Sequence, residues 1–317
     1  MPPRDPLQPG RASEVGADAN LLQRVAREVG CDSEQLRWHF IGSPRGPCRV
    51  WQVRGPRYAA GVIVKQFRNE RAFQQERHAY QRWLPQLPEE TATLLAVCDA
   101  PVRALVLAQV PGEPLAQAPI TAELERAAHR RAGYFLRALH AVPEPDHDPV
   151  SLGQAVQLRH AAWLARVRPA VGDEEHALLR EQAALADPAL FAGVRRVPCH
   201  RDFTPGNWLV SGPVIEGQIA RLNGFFVVDF EHAHLDCPLF DIVKLWTDLW
   251  GERPDLEAAF FAGYGRALGA LELKQLRVLA AMHAMATVAW AHEHADLHFQ
   301  ALGQRALRRV LASASAC

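Results

Sequence analysis

Short apolar runs alternate with turn residues in the first part of the chain. Apolar positions at helical spacing over residues 21–29, closed by Gly30, predict a short helix. Three apolar runs follow over 36–41, 49–53 and 59–67, and turns rich in Gly and Pro separate them. Runs of this length between turn residues are typical of strands.

A helix and two more strands complete this region. Asn69 is placed to cap a helix that runs to Trp83, and Pro85 ends it. Apolar runs over 94–98 and 103–109 then predict two strands. The pattern therefore predicts a small five-stranded sheet with one helix.

Helical patterning dominates the remainder. Thr121 is placed to cap a helix that ends at His140, and helices are also predicted over 154–167 and 173–186. A strand-rich island covers residues 200–210 and 219–231. Helices then resume at four positions, Leu239, Leu256, Leu271 and His283.

The change of pattern near residue 110 divides the chain. We expect a mobile tail over 1–18, a first lobe over 19–110 and a second, mainly helical lobe over 111–317. The tail is rich in Pro, Gly and Ala, and charged residues interrupt it, so it lacks the apolar core of a signal peptide. The expected fold class is α+β.

Composition excludes several classes of function. The 317 residues carry a formal net charge of zero with a pI near 7.2, so the basic field needed to bind nucleic acid or a membrane surface is lacking. No apolar run reaches the ~20 residues that span a bilayer. Six scattered cysteines without a CxxC pair argue against a zinc site or disulfide framework. We expect reduced thiols and a cytoplasmic location.

One motif combines a catalytic carboxylate with two metal ligands. The segment that begins at His200 matches the kinase catalytic loop HRDxxxxN, with Asp202 and Asn207 in the matching positions, and Asp229 follows Asn207 by 22 residues. Phosphoryl transfer needs a carboxylate near the attacking hydroxyl and oxygen ligands for magnesium. The motif predicts Asp202 as the base, with Asn207 and Asp229 as Mg²⁺ ligands. The alternative is that Asp202 only caps a turn.

A lysine and a glutamate upstream fit the same chemistry. The chain has only three lysines, Lys65, Lys244 and Lys274, and Lys65 ends a predicted strand. Glu76 lies in the next helix, beside the face that docks on the sheet, and is preferred over its rival Glu70 as the ion-pair partner of Lys65. A kinase binds the nucleotide phosphates with such a pair. The alternative is that both are solvated surface residues.

The turn over 42–47 is a candidate phosphate-covering loop. It has two glycines and does not reproduce GxGxxG, although Ser43 and the backbone amides are suitable contacts for a phosphate. A simple hairpin turn explains the same residues equally well.

These motifs resemble the aminoglycoside phosphotransferase and choline kinase-like family over nearly the whole chain. Residues 105–115 are similar to the hinge of the family, 139–143 to the end of a helix, and 229–241 to its metal loop. The resemblance implies a protein-kinase-like fold with a small five-stranded antiparallel N-lobe and a larger, mainly α C-lobe. It also implies that adenine bonds to the backbone near Ala108 and Val110, between the lobes.

Three residues depart from these patterns. Arg201 stands where the family often has Gly, as in protein kinases, whereas Thr204 stands where protein kinases usually have Lys. Glu231 replaces the Gly of DFG, and no Ala-Pro-Glu follows Asp229. A protein kinase is therefore one rival interpretation, and a nucleotide-binding pseudokinase scaffold is another.

The resemblance implies ATP and Mg²⁺ as cofactors and a small hydroxyl-bearing molecule as the acceptor. The Arg- and Ala-rich composition is typical of a GC-rich genome and favours an antibiotic acceptor of aminoglycoside, nucleoside or peptide type, phosphorylated for resistance or self-protection. A small metabolite such as an amino alcohol or a sugar is the second interpretation. The sequence does not determine the oligomeric state or the preference between ATP and GTP.

Overall fold

The computed structural model describes residues 17–42, 46–87 and 90–314, and the chain divides into two compact units. The first unit contains Met1–Gly112 and Phe226–His232, and the second contains Glu113–Phe225 and Ala233–Cys317. The predicted tail over 1–18 lies outside the described residues except for Ala17 and Asp18. The first unit is built on a sheet and the second is mainly helical, which is the α+β class that the sequence predicts.

The first unit is built on a five-stranded antiparallel sheet in the order β1-β2-β3-β5-β4. Its elements are α1 (Ala19–Val29), β1 (Arg37–Phe40), β2 (Cys48–Gly55), β3 (Tyr58–Phe67), α2 (Glu70–His78), β4 (Leu94–Cys98) and β5 (Ala104–Ala108). Leu21, Val25 and Val29 of α1 share one buried core with Trp51 and Val64 of the sheet. Because this side of α1 is apolar, the helix packs on the sheet.

Gly30 ends α1 and Asn69 caps α2 as the sequence predicts, whereas the cap at Asp18 was not predicted. Asp18 accepts a hydrogen bond from the Leu21 amide at the start of α1, and Gly30 ends that helix in the left-handed conformation with φ 64°. Asn69 caps α2 through the Arg71 amide. The predicted continuation to Trp83 is a π-helical turn over Ala79–Trp83 rather than α-helix.

The second unit is mainly helical. Its elements up to residue 227 are β6 (Glu113–Pro114), α3 (Ala122–Ala141), α4 (Leu152–Val167), α5 (Asp173–Ala184), β7 (Val197–Cys199), β8 (Trp208–Ser211), β9 (Val214–Ile215), β10 (Gln218–Ile219) and β11 (Gly224–Val227). The last two residues of β11 belong to the first unit. The elements that follow are β12 (His234–Asp236), α6 (Phe240–Asp248), α7 (Pro254–Tyr264), α8 (Ala270–His294) and α9 (Leu297–Ala314). Strand β7 pairs with β12, and β6 pairs with β8.

One helix prediction was wrong in detail. Separate helices were predicted at Leu271 and His283, but both residues lie in the single 25-residue helix α8. The segment between them contains no Gly or Pro, so no local signal interrupts the helix. Within the described residues no helix is both long and apolar enough to cross a membrane.

Candidate active site

Lys65 and Glu76 form a buried ion pair in the first unit. Lys65 lies near the end of β3 and Glu76 in the last turn and a half of α2, and Lys65 Nζ donates to Glu76 Oε2 at 2.6 Å. Both side chains are buried, whereas the rival Glu70 is exposed and lies 3.6 Å from Arg103. The structure therefore brings Lys65 together with Glu76 rather than with Glu70.

Two more carboxylates contact the same ammonium. Asp229 pairs with Lys65 Nζ through Oδ1, and Glu231 Oε2 lies 3.3 Å from it. The segment that carries both residues is held in the first unit by the Val227 amide, which donates to the carbonyl oxygen of Glu90. Three carboxylates around one ammonium leave an excess of negative charge when all are ionised.

Charge crowding and burial shift the ionisation of this cluster. Burial raises the pKa of Glu76 to about 7, and Asp229 and Glu231 act in the same direction, while the Lys65 ammonium opposes them. Burial alone would lower the pKa of Lys65, but the carboxylates of Glu76 and Asp229 outweigh it and raise that pKa. The ammonium is therefore charged at neutral pH.

The carboxylates of this cluster fit a divalent cation. Oxygen atoms of Glu76, Asp229 and Glu231 all lie within 4.8 Å of one another. Oε1 of Glu76 is buried and has no hydrogen-bond partner among the described residues. Hard cations such as Mg²⁺ prefer carboxylate oxygen, and a cation would offset the excess negative charge. Asp229 holds a left-handed backbone, with φ 70°, a conformation that non-Gly residues keep only where surrounding contacts enforce it.

The predicted catalytic loop lies in the second unit. The Asn207 side-chain amide donates to the backbone carbonyl of Asp202 at 2.9 Å, so these two predicted site residues are held together. The Asp202 amide donates to His200 Nδ1 at 3.2 Å. A 3-10 turn over Pro205–Asn207 closes the loop before β8. The side chain of Asp202 is partly exposed, which is compatible with its predicted role as a base that meets an acceptor.

Asp241 at the start of α6 holds the backbone of this loop. Its carboxylate accepts hydrogen bonds from the amides of His200, at 3.0 Å, and Arg201, at 2.6 Å. His140 Nε2 lies 3.0 Å from Asp241 Oδ2. Because Asp241 is buried, loss of its carboxylate would leave these backbone donors without partners.

Arg201 is held on both sides. Its backbone is left-handed, with φ 69°, which is the conformation that a Gly adopts at no cost. Its guanidinium lies 2.8 Å from Asp236 and 3.9 Å above the centre of the Phe240 ring. Asp236 also accepts two hydrogen bonds from Arg159. These contacts offset the cost of a left-handed backbone at Arg201, where the phosphotransferase family that the sequence resembles often has Gly.

The remaining predicted site residues are placed as follows. Ser43 lies outside the described residues. Ala108 ends β5, where its amide donates to the Thr93 carbonyl at 2.8 Å, and Val110 follows the strand. Ala108 and Val110 therefore lie at the end of the first unit, in the segment predicted to contact adenine.

Sequence reasoning missed two charged residues of these clusters. It noted Glu231 only as a replacement for the DFG glycine, and it gave Lys244 no role. Lys244 Nζ donates to Asp202 Oδ1 at 2.5 Å. The rarity of lysine in an arginine-rich chain could have marked Lys244 as a candidate site residue. Its contact with Asp202 could not be predicted, because the two residues lie 42 positions apart in sequence and meet only in the folded chain.

The fold and these clusters define a phosphotransferase of the protein-kinase-like class. The phosphotransferase enzyme family, APH, matches residues 49–279, and the chain belongs to that family. No curated protein matches the sequence.

Solved structures share the fold at low identity. The GDP and kanamycin complex of APH(2″)-IIia is 13% identical with a TM-score of 0.70, covering 93% of this chain and 99% of that chain. The gentamicin complex of APH(2″)-IIa is 15% identical with a TM-score of 0.65, covering 92% and 96%. Spectinomycin phosphotransferase APH(9)-Ia, bound to ADP and spectinomycin, is 13% identical with a TM-score of 0.56, covering 87% and 88%. At these identities the likeness shows the fold.

Proposed function

We propose that this chain transfers the γ-phosphate of ATP to a hydroxyl group of a small molecule. The observation that carries the proposal is the buried Lys65 ammonium, which Glu76, Asp229 and Glu231 hold in place. An ammonium fixed in this way is a preorganised partner for phosphate oxygens. Membership of a phosphotransferase family supports the same reaction.

The nucleotide is assigned to residues of the first unit. Lys65 binds the α- and β-phosphates, and Glu76 fixes the direction of the ammonium. The backbone near Ala108 and Val110 bonds to adenine, and Ser43 remains a proposed phosphate contact. Solved relatives in complex with GDP or with ADP support nucleotide binding by this fold.

Asp229 and Asn207 are the proposed ligands of Mg²⁺. Their carboxylate and amide oxygens suit a hard cation, and the excess negative charge around Lys65 favours one. When bound, Mg²⁺ offsets the charge of the phosphate oxygens. Glu231, beside Asp229 in the same cluster, is a further oxygen donor.

Asp202 is the proposed base. The acceptor hydroxyl oxygen forms a bond to the γ-phosphorus, the bond from that phosphorus to the bridging oxygen breaks, and its electron pair leaves on ADP. The hydroxyl proton passes to the Asp202 carboxylate late in the transfer. No covalent enzyme intermediate forms.

An antibiotic of aminoglycoside, nucleoside or peptide type is the leading acceptor class. Relatives of the same fold have been solved with gentamicin, kanamycin and spectinomycin, which supports a hydroxyl-bearing acceptor. One observation favours an uncharged metabolite such as a sugar instead. Lys244 neutralises the charge of the Asp202 carboxylate, so this carboxylate attracts a polycation less than an unpaired one would.

The test is consumption of Mg-ATP and Mg-GTP by the purified protein against a panel of hydroxylated antibiotics, sugars and amino alcohols. Mass spectrometry of each acceptor should show the gain of one phosphate on one compound. Asp202→Ala should reduce turnover by orders of magnitude while nucleotide binding persists, and the exposed Asp173→Ala should leave turnover intact. Phosphate on a protein acceptor alone would indicate a protein kinase. Nucleotide binding without any transfer would indicate a scaffold.

A further inference from the structure

Lys244 lies against the proposed base. Its Nζ donates to Asp202 Oδ1 at 2.5 Å, and both side chains are partly buried, with exposed fractions of 34% for Lys244 and 27% for Asp202. Partial burial strengthens such a pair relative to one in open solvent. The base therefore carries a fixed ammonium partner that the proposed mechanism does not yet use.

Helix α6 fixes the place of this ammonium. Asp241 and Lys244 are three residues apart on α6, so they lie on the same face of the helix. The Asp241 carboxylate accepts hydrogen bonds from the backbone amides of His200 and Arg201, and the Lys244 ammonium donates one to the Asp202 carboxylate. One helical face thus holds the backbone and the carboxylate of three consecutive loop residues.

Neighbouring cationic groups do not take the place of Lys244. The guanidinium of Arg201 is engaged by Asp236 and by the Phe240 ring. Burial, together with the charges of Lys244 and Arg201, lowers the pKa of His283 to about 3, so this histidine is neutral at pH 7. Among the described residues, Lys244 is an ammonium in direct contact with Asp202 and offsets its charge.

We propose that Lys244 is the positioning residue of Asp202, holding the carboxylate in the direction needed to accept the hydroxyl proton and offsetting its charge during transfer. The proposal rests on the proposed function. An unpaired carboxylate repels a phosphoryl group that carries negative charge, whereas the Asp202–Lys244 pair has no net charge. A rotating carboxylate would also lose alignment with the hydroxyl.

The reaction balances with Lys244 unchanged. The hydroxyl oxygen bonds to the γ-phosphorus, the electron pair of the broken bond leaves on ADP, and the proton converts the Asp202 carboxylate into a carboxylic acid. Lys244 keeps its three protons throughout. It acts through Asp202 and is therefore expected to change kcat more than the nucleotide KM.

The first test compares Lys244→Met, which removes the charge, with Lys244→Arg, which keeps it. The exposed Lys274→Met is the matched control. The probe is Mg-ATP with the acceptor identified by the panel, or with water as acceptor and release of inorganic phosphate as the signal. Lys244→Met should lower kcat on the order of 10²-fold with the nucleotide KM nearly unchanged. Lys244→Arg should retain more activity, and Lys274→Met all of it.

A double-mutant cycle separates positioning from a general structural role. If Lys244 acts through Asp202, adding Lys244→Met to Asp202→Ala should cost no further activity, because the group being positioned is gone. An equal loss in both backgrounds would overturn the proposal. So would wild-type kcat in Lys244→Met. Absence of transfer by the wild type would instead count against the proposed function.

A spectroscopic measurement tests the pair without activity. Reductive methylation with ¹³C-formaldehyde preserves the charge of lysine, and this chain has only three lysines to assign. Loss of a signal in Lys244→Arg identifies the Lys244 resonance. Asp202→Asn should shift that resonance and leave the Lys274 resonance in place. A Lys244 resonance that does not respond to Asp202→Asn would overturn the proposal even for an inactive protein.

Discussion

At the scale of single residues, Glu76 and Glu70 provide a matched pair on one helix. Glu76 is buried and bonded to Lys65, whereas Glu70 is exposed at the start of α2. Glu76→Gln keeps the shape of the side chain and removes its charge. Because Asp229 and Glu231 still surround Lys65, the fold should tolerate this change.

We expect Glu76→Gln to lower kcat/KM on the order of 10²-fold, because Lys65 then turns toward its other carboxylates. Glu70→Gln should leave kcat/KM unchanged. Phosphate transfer and thermal unfolding of the two variants check the expectation. Equal kcat/KM values for Glu76→Gln and Glu70→Gln would contradict a positioning role of Glu76.

Arg201 offers a second residue-scale prediction, on backbone conformation. Ala and Gly at position 201 both lose the contacts to Asp236 and Phe240, but only Ala keeps the penalty of a left-handed backbone. That penalty is roughly 1–2 kcal/mol, and the greater unfolded-state freedom of Gly offsets about 0.4–1 kcal/mol of it. Arg201→Gly should therefore be more stable than Arg201→Ala by about 0.5–1 kcal/mol in urea unfolding. A more stable Ala variant would contradict this argument.

At the scale of elements, Asp236 on β12 joins a helix to the predicted catalytic loop. It bonds to Arg159 of α4 and to Arg201 of the loop, and His234 lies 3.3 Å away. Burial alone would raise the pKa of Asp236, but the Arg201 charge and the hydrogen bonds from His234 and Arg159 outweigh it and hold that pKa well below its usual range.

The lowered pKa of Asp236 makes the stability of the fold depend on pH. Because the pKa of Asp236 is lower in the folded state than in the unfolded state, its ionisation stabilises the fold at pH values above the unfolded pKa of about 3.9. This stabilisation is lost progressively as the pH falls from that value through the folded-state pKa. Asp236→Asn should cost about 3 kcal/mol at pH 7, since it leaves buried charges without their partner. The difference from wild type should shrink below about pH 4. Urea unfolding from pH 7 to 3 checks this, with Asp173→Asn, whose side chain is 92% exposed, expected to change stability far less. A difference that grows with acid would be inconsistent with it.

The contact between α3 and α7 depends on glycine. A Cβ atom on Gly133 would lie 2.1 Å from the Phe260 carbonyl oxygen, and one on Gly263 would lie 1.9 Å from the Arg130 carbonyl oxygen. The two helices therefore approach with backbone against backbone. Gly133→Ala should destabilise the protein by about 2–3 kcal/mol, whereas Gly172→Ala, where no atom lies within 4 Å, should cost far less. Comparable denaturation midpoints for the two variants would show that the helices can move apart freely.

At the scale of the whole molecule, local patterns predicted most elements but not the clusters that depend on distant residues. Caps at Asn69 and Thr121 marked helix starts correctly because each bonds to amides within three residues. Motif spacing picked out Lys65, Asp202 and Asp229. It could not find Lys244, because the contact with Asp202 depends on how α6 packs against the loop. The π-helical turn at Ala79–Trp83 was missed because its apolar residues have ordinary helical spacing, which does not distinguish it from an α-helix.

The charge balance of the whole chain gives the last prediction. The net charge is zero, so a broad attraction for polyanions is lacking, and nucleotide binding must come from a local site such as that around Lys65. Mg-ATP at 100 times its Kd should stabilise the protein by about 2.7 kcal/mol, which for a chain of 317 residues raises Tm by roughly 4 °C. Because the Lys65 cluster has excess carboxylate, ATP with EDTA should stabilise the protein much less than Mg-ATP.

Lys65→Ala should lose most of the Tm increase produced by Mg-ATP, whereas Lys274→Ala should keep it, since Lys274 is an exposed residue of α8. Differential scanning fluorimetry of both variants, with and without Mg²⁺, measures the effect. The same increase in Lys65→Ala would place nucleotide binding elsewhere in the chain. An increase in the wild type that did not depend on Mg²⁺ would instead contradict the proposed metal role of Asp229 and leave Lys65 as the phosphate contact.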